Sequence, residues 1–499
     1  MVYNFFIFYL LAMLSLQQYY RAFKSYDIRG IWGKEIDANL GYYLGKGFSE
    51  YIIQHTGKDA SIMIGADTRE NNTALINNTL LWLSESGLHN FVKAGKDFEG
   101  YPHGICSTGV AIHLSYKTYD YSIIFSASHN SAEYIWIKIF TKENKFIETD
   151  ILKELFTKAF EKYSSQGFQA LDNKQALALY RDIPGIEQNQ QKWSATLDKY
   201  FSSLEKSHHI TIDYGHGAAV AYELDYMNHL SKLMPKLKIT NLFTTPDGSF
   251  PAHETDTSRF GNYTKLAEAV RENKSEFWFM FDGDADRLGI VLKNGTVMSW
   301  DILTAIVSKQ VLTNGMAEDF GSNKIFYEVF SSQVVPQTVQ KYGGESVMVR
   351  VWRGAFWEQV IKERWLIAWE SSAHILFWPY GTAEFPLLAL ALILKESENF
   401  ESFDSMAAYY MSTYKSQVYH FAITDKDGLI QHIDDSYPEL KKNYVDGVRM
   451  EGDRFWFTIR KSGTEDIVKV VGEASDKELF EQERKKLKQI ILDYWAHEE

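Results

Sequence analysis

Short apolar runs along this chain repeatedly deliver into polar loops. YSIIF (121–125) leads into SASHN (126–130), and EFWFMF (276–281) leads into DGDADR (282–287). WLIAW (365–369) leads into ESSAH (370–374), and RFWFTI (454–459) leads into RKSGTED (460–466). Runs this short, rich in β-branched and aromatic residues and closed by turn formers, predict buried strands. Helical patterning lies between them, over Asp150–Tyr163, Tyr263–Lys274, Leu387–Lys395 and Asp476–Trp495. Strand–helix alternation implies α/β domains with largely parallel sheets. In such sheets ligands collect at the carboxyl ends of strands. All four loops are expected at ends of that kind, so their chemistry belongs together. The polar stretch EQNQQKW (187–193) is the best linker candidate, with further junctions near Trp300 and within 406–417.

DGDADR carries the sharpest chemistry. Asp282, Asp284 and Asp286 crowd three carboxylates into five residues, where they repel one another unless a cation sits among them. A hard divalent ion such as Mg2+ suits oxygen ligands. An EF-hand calcium loop would need Gly and Glu where Arg287 and Lys293 stand. Arg287 beside the acids suggests a phosphate; the alternative is a solvated acidic turn. In SASHN, Ser128 is either a nucleophile or an ordinary turn residue. A serine-hydrolase elbow is absent, because Ser126 and Asn130 replace its glycines. Lys138 is either a desolvated proton carrier or a strand-end charge.

Arg460, Ser462, Gly463 and Thr464 combine a guanidinium, hydroxyls and a flexible backbone, which suits a phosphate monoester but equally a capped β-turn. Glu370, Ser372 and His374 are spaced two apart and would share one face of an extended segment. That pattern suits a hydroxyl-rich ligand such as a sugar, although His374 could equally be structural.

At 499 residues the chain is too long for one core, and three or four domains are expected. A net charge of −13 argues against nucleic-acid binding, yet a small phosphorylated ligand needs only a few arginines and amides. Cys106 is the single cysteine, which excludes an internal disulfide and thiolate metal sites and points to a reducing, cytoplasmic setting. FFIFYLLAMLSL (5–16) is too short to span a membrane. It also lacks the basic flank and cleavage site of a signal peptide. It is expected to be an extension outside the fold, with translation starting at Met13, and no membrane partner is expected.

Taken in order, the four loops resemble the α-D-phosphohexomutase family, in its phosphomannomutase/phosphoglucomutase branch. YDIRG (26–30), DYGHG (213–217) and PDGSFPAH (246–253) add to the resemblance, which runs from about Phe23 to the C-terminus. It implies four domains around a central cleft, three related α/β domains with mixed sheets and a smaller C-terminal α+β domain. The expected division is an extension over 1–20, a phosphoserine-loop domain over 21–175, a metal-loop domain over 176–299, a sugar-loop domain over 300–408 and a phosphate-binding domain over 409–499. The implied reaction interconverts hexose 1- and 6-phosphates of mannose or glucose through phosphorylated Ser128 and a hexose 1,6-bisphosphate, with phosphoglucosamine mutase as the alternative. Mg2+ would sit on Asp282, Asp284, Asp286 and Ser128. Lys138 would carry protons, and His129, Arg29 and Arg287 would line the phosphoserine. Glu370, Ser372 and His374 would hold the sugar, and Arg460, Ser462, Gly463 and Thr464 the non-reacting phosphate. A monomer or homodimer is expected.

The chain also departs from that pattern. Asn130-Ser131 stands where the family usually has Asn-Pro, and Val351-Trp352-Arg353 where it has Thr-Gly-His. Trp357 replaces a lysine, and Glu465-Asp466 stands where proline is usual. Trp136, Trp278, Trp300, Trp352, Trp365 and Trp369 all fall where the family commonly has glycine, a severe exchange at tight loops. One codon, UGA, is read as Trp in some genetic codes and Gly in others, which would produce this pattern; UGG at these positions would exclude it. If all six are tryptophans, a crowded cleft and a catalytically impaired sugar-phosphate-binding relative are expected.

Overall fold

The computed structural model describes residues 13–24, 27–257, 272–351, 363–370, 373–462 and 465–495. The first sheet contains β1 (Ile28–Ile31), β2 (Ser61–Ala66) and β3 (Asn90–Lys93). After a small hairpin, β4 (Lys96–Phe98) and β5 (Tyr101–Ile105), it gains β6 (Tyr121–Ser126) and β7 (Tyr134–Thr141). The second sheet is built from β8 (His208–Asp213), β9 (Leu237–Leu242), β10 (Phe277–Phe281), β11 (Leu288–Leu292) and β12 (Val297–Met298). The third uses β13 (Lys324–Glu328), β14 (Glu345–Val349), β15 (Ile367–Trp369), β16 (Ile375–Phe377) and β17 (Ala383–Glu384).

One plan underlies all three. The orders β3-β2-β6-β7-β1, β9-β8-β10-β11-β12 and β14-β13-β15-β16-β17 each run as three parallel strands followed by two antiparallel ones. The sheets are therefore mixed, and the expectation of largely parallel sheets is corrected at their two outer strands. Each of the first three motif loops is the turn from the last parallel strand into the first antiparallel one. The parallel strands read as continuous apolar runs because both faces are covered; Phe277 to Phe281 are all buried.

The fourth unit is antiparallel. Strands β18 (Tyr414–Lys415), β19 (Tyr419–Ala422), β20 (Lys441–Asn443), β21 (Val448–Glu451), β22 (Phe455–Lys461) and β23 (Ile467–Ala474) pack against the helices Lys426–Asp435 and Lys477–Trp495 around their own core. Its motif loop is the β22–β23 turn.

Two expectations about chain organisation change. Residues 187–193 are helical rather than loose. They lie in the helix Ile186–Phe201, where Trp193 is buried and stacks on Phe385, and Asn189 donates to the Leu114 carbonyl at 2.7 Å. The polar residues there hide an inward face of Asn189, Trp193, Leu197 and Phe201 at helical spacing. Residues 13–20 are packed into the fold: Tyr19 is buried against Phe156 and Phe160 and donates to Asp37 at 2.9 Å. Residues 1–12, and most of the expected helix Tyr263–Lys274, lie outside the described residues. No helix among the described residues is long and apolar enough to cross a membrane.

Glu223 joins the first two units. Ser107 caps the helix Thr108–Ser115 and donates to Glu223 Oε1 at 2.6 Å, while Oε2 is buried without a partner among the described residues. Burial pushes this carboxyl up from 4.5 to about 7. The folded chain keeps the proton to about pH 7 while the unfolded chain releases it near pH 4.5, so stability falls as pH rises between those values. Glu223→Gln keeps an acceptor for Ser107 and removes a penalty on the order of 3 kcal/mol. Thermal melts should therefore show a raised Tm at pH 8 and little change at pH 4.5.

Candidate active site

The β6–β7 turn and the β10–β11 turn meet face to face. Ser128 is buried, with φ +50°, a conformation that L-residues adopt only when their surroundings impose it. Its Oγ donates to Asp282 Oδ2 at 2.9 Å and accepts from Arg287 Nη2 at 2.5 Å. Arg287 Nη2 also contacts His129 Nδ1. Gly283 makes the approach possible: a Cβ there would lie 2.4 Å from the Ser128 carbonyl oxygen.

Asp282, Asp284 and Asp286 are all buried, with ligand oxygens within 4.8 Å of one another. The backbone amides of Asp286 and Arg287 both donate to Asp282 Oδ1 at 3.1 Å, which curls the loop around that carboxylate. Asp284 Oδ2 accepts from Thr108 at 2.6 Å and Ser126 at 2.7 Å, while its Oδ1 is buried without a partner among the described residues. Burial, then repulsion from Asp286 and Asp284, holds the Asp282 carboxyl well above the usual range. A cation among these oxygens would satisfy the orphaned atom and relieve the repulsion. The triad therefore fits a divalent metal.

Lys138 lies inside β7, not at its end. Its ammonium is buried and donates to Asp284 Oδ2 at 3.0 Å and Asp286 Oδ2 at 2.9 Å. This settles the sequence ambiguity in favour of a desolvated cation. His129 is held down to about 4 by burial and then by Arg287, so its ring is neutral near pH 7. Arg29 is paired across β1–β7 with Trp136, whose ring lies under both Arg29 (4.6 Å) and Lys138 (5.0 Å).

The third loop differs from its expectation. Its described ends do not continue as an extended segment: Ala373 has φ +69° and donates to the Glu370 carbonyl at 3.0 Å. Glu370 stands opposite His374 across this connection, its amide donating to the His374 carbonyl at 3.1 Å. His374 Nδ1 lies 3.4 Å from Asp286 Oδ1 and 3.5 Å from Glu384 Oε1, and the His374 backbone bridges to Arg287. Ser372 lies outside the described residues. In the fourth loop Arg460 pairs with Asp446 at 2.9 Å and lines a cavity of about 960 Å3 with Trp300, Ala373 and Lys415. Ser462 is buried, and Gly463 and Thr464 lie outside the described residues.

Four family models account for most of the chain: phosphoglucomutase/phosphomannomutase α/β/α domains I (residues 20–166), II (192–295) and III (300–414), and the C-terminal domain (423–490). The chain belongs to the phosphoglucomutase/phosphomannomutase family. A phosphomannomutase of Methanocaldococcus jannaschii is 30% identical over 471 residues, covering 94% of this chain and 97% of that protein. A phosphoglucosamine mutase of Exiguobacterium sibiricum is 24% identical, covering 96% and 99%. A crystal structure of a phosphoglucomutase/phosphomannomutase family protein from Burkholderia thailandensis matches with a TM-score of 0.75 at 20% identity, covering 96% and 98%. That likeness shows the fold, whose three α/β units and C-terminal unit are those described above.

In this family member the fold joins Ser128, His129, Lys138, Arg287 and the three aspartates into one cluster, while Arg29 sits one strand away over Trp136. Residues the motifs did not announce also meet there. Thr108 and Ser126 hold Asp284, Glu384 faces His374, and Asp67 and Arg69 grip the Ser128 loop. A signal was there to read: DTRE (67–70) follows the apolar strand Ser61–Ala66, as the other loops follow theirs, with Asp67, Arg69 and Glu70 close together. Among the six tryptophans, Trp136, Trp278 and Trp369 are buried with indole N–H groups that find no acceptor among the described residues, and Trp352 lies outside those residues.

Proposed function

We propose that the protein is a phosphohexomutase that interconverts hexose 1-phosphate and hexose 6-phosphate of mannose or glucose. The observation that carries this reading is a buried serine whose Oγ touches both a metal-fit aspartate and an arginine. Ser128 carries the phosphoryl group. The bond from Ser128 Oγ to phosphorus breaks as a sugar hydroxyl oxygen bonds the same phosphorus, giving a hexose 1,6-bisphosphate. That bisphosphate turns over in the cleft, and its other phosphate returns to Ser128.

Lys138 is assigned the role of proton carrier, taking the hydroxyl proton in its neutral amine form. Asp282, Asp284 and Asp286, with Ser128, would hold Mg2+, which supplies charge neutralisation on the transferred group. Arg287 donates to the serine oxygen, and His129, neutral beside it, adds no repelled charge. Glu370, Ser372 and His374 are assigned to the sugar hydroxyls. Arg460, Ser462, Gly463 and Thr464 are assigned to the phosphate that does not react. His374 also links the sugar loop to Asp286 of the metal loop. The four units are taken as 21–175, 176–299, 300–408 and 409–499.

The test is a coupled assay with mannose 1-phosphate, glucose 1-phosphate and glucosamine 1-phosphate, each with Mg2+ and with EDTA. Mg2+-dependent turnover of the first two is expected. Preference for glucosamine 1-phosphate would favour the activity named for the Exiguobacterium relative. A second reading, an impaired sugar-phosphate binder, draws support from the Trp136 ring under Arg29 and Lys138. It predicts retained binding with no turnover of any of the three sugars.

A further inference from the structure

The Ser128 loop is shaped by a group that no phosphate-chemistry motif announces. Arg69 follows β2 and is buried. Its Nη2 donates to the carbonyls of Ser128 (3.0 Å) and Asn130 (2.7 Å), and its Nη1 to that of Ser131 (2.6 Å). Its Nε donates to Asp67 Oδ2 at 3.1 Å, and the same oxygen accepts from the Ala127 amide at 3.2 Å. The Asp67–Arg69 pair thus meets the loop's donors and acceptors together. The carbonyl of buried Ser128 would otherwise lose this donor, and an orphaned buried carbonyl costs about 1–3 kcal/mol.

The second unit braces this grip. Phe250 of PDGSFPAH lies 4.9 Å from the Arg69 guanidinium, and a Cβ on Gly248 would fall 2.2 Å from the Thr68 carbonyl oxygen. Phe250 also packs toward Gly283 in the metal loop.

We infer that Arg69 is a positioning residue for phosphoryl transfer. It holds Ser128 at φ +50° so that Oγ points at Asp282 and Arg287, and PDGSFPAH docks the metal-loop unit onto that grip. Lysine cannot replace it, because only a planar fork reaches three diverging carbonyls and an aspartate at once. This inference rests on the reading of Ser128 as the phosphoryl carrier.

The experiment compares wild type, Arg69→Met, Arg69→Lys, Asp67→Asn and the Asp67→Asn/Arg69→Met double variant in the full chain. Phosphate on Ser128 is read by intact mass, and kcat and KM are read separately. Arg69→Met is expected to lose on the order of 100-fold in kcat, the scale of a 1 Å misplacement. Its KM for the hexose phosphate should stay within about threefold, because Arg69 touches no substrate-binding loop. The double variant should lose no more than the worse single, since both act through one loop. Arg69→Lys keeps a cation against Asp67 and so guards against a folding failure of Arg69→Met; it should still lose at least about tenfold in kcat, since an ammonium is not a fork.

A folded Arg69→Met or Arg69→Lys with wild-type kcat overturns the inference, as does a loss shared equally by kcat and KM. Wild type without phosphoserine or turnover overturns the proposed function itself, which a variant-only failure does not.

Discussion

Ser128→Ala is expected to abolish phosphate incorporation and to lower turnover by more than ~10^4-fold, because no other oxygen can take its place in the transfer. The fold should tolerate the change. Serine and alanine meet the same backbone cost at φ +50°, and the loop's carbonyls stay on Arg69. Asp282 and Arg287 lose one contact each but remain 3.3 Å apart as an ion pair. Intact mass should show the phosphate increment on purified wild type and none on the variant, while Mg2+ binding by calorimetry persists in both. Turnover within tenfold of wild type, still dependent on Mg2+, would place the phosphoryl carrier elsewhere.

Lys138→Met should produce two losses that respond differently to metal. Its ammonium lies between Asp284 and Asp286, and all three groups are buried. Removing one member of a buried ion pair typically costs about 3–5 kcal/mol, because the partner charges are left uncompensated. Methionine keeps the apolar stem and leaves those carboxylates repelling. A bound divalent cation supplies the missing charge and stabilises the folded state by mass action. The Tm deficit should therefore be large in EDTA and small in millimolar Mg2+. Turnover should fall about 10^2–10^4-fold, the scale of a lost proton carrier, and added Mg2+ should not restore it. A variant whose activity returns with Mg2+ would reduce Lys138 to a counter-ion.

The parts of the site legible in the sequence are those whose chemistry is contiguous. DGDADR shows its carboxylates in one string because a single turn must present them all. SASHN and RKSGTED show theirs because a strand end fixes where the loop begins. ESSAH shows its residues but not their geometry: spacing alone suggests an extended face, whereas Ala373 has φ +69° and His374 Nδ1 lies 3.4 Å from Asp286. The helix over the polar stretch 187–193 is hard to read from sequence for a related reason. Its inward residues, Asn189 and Trp193, are diluted by exposed glutamine, glutamate and lysine.

By itself, the sequence determined where strands end and which loops carry ionisable groups. Local hydrophobic pattern and turn chemistry act over a few residues, so they are written in order along the chain. Only the tertiary structure decided what those groups became. Burial and then two neighbouring aspartates raise the Asp282 carboxyl well above its ordinary range, and Lys138 becomes a buried counter-charge to aspartates 146 and 148 residues away. Ser128 takes its shape from an arginine 59 residues earlier. Desolvation and Coulomb energy depend on distance in space, and the same carboxylate or ammonium in an open turn would be an ordinary solvated charge.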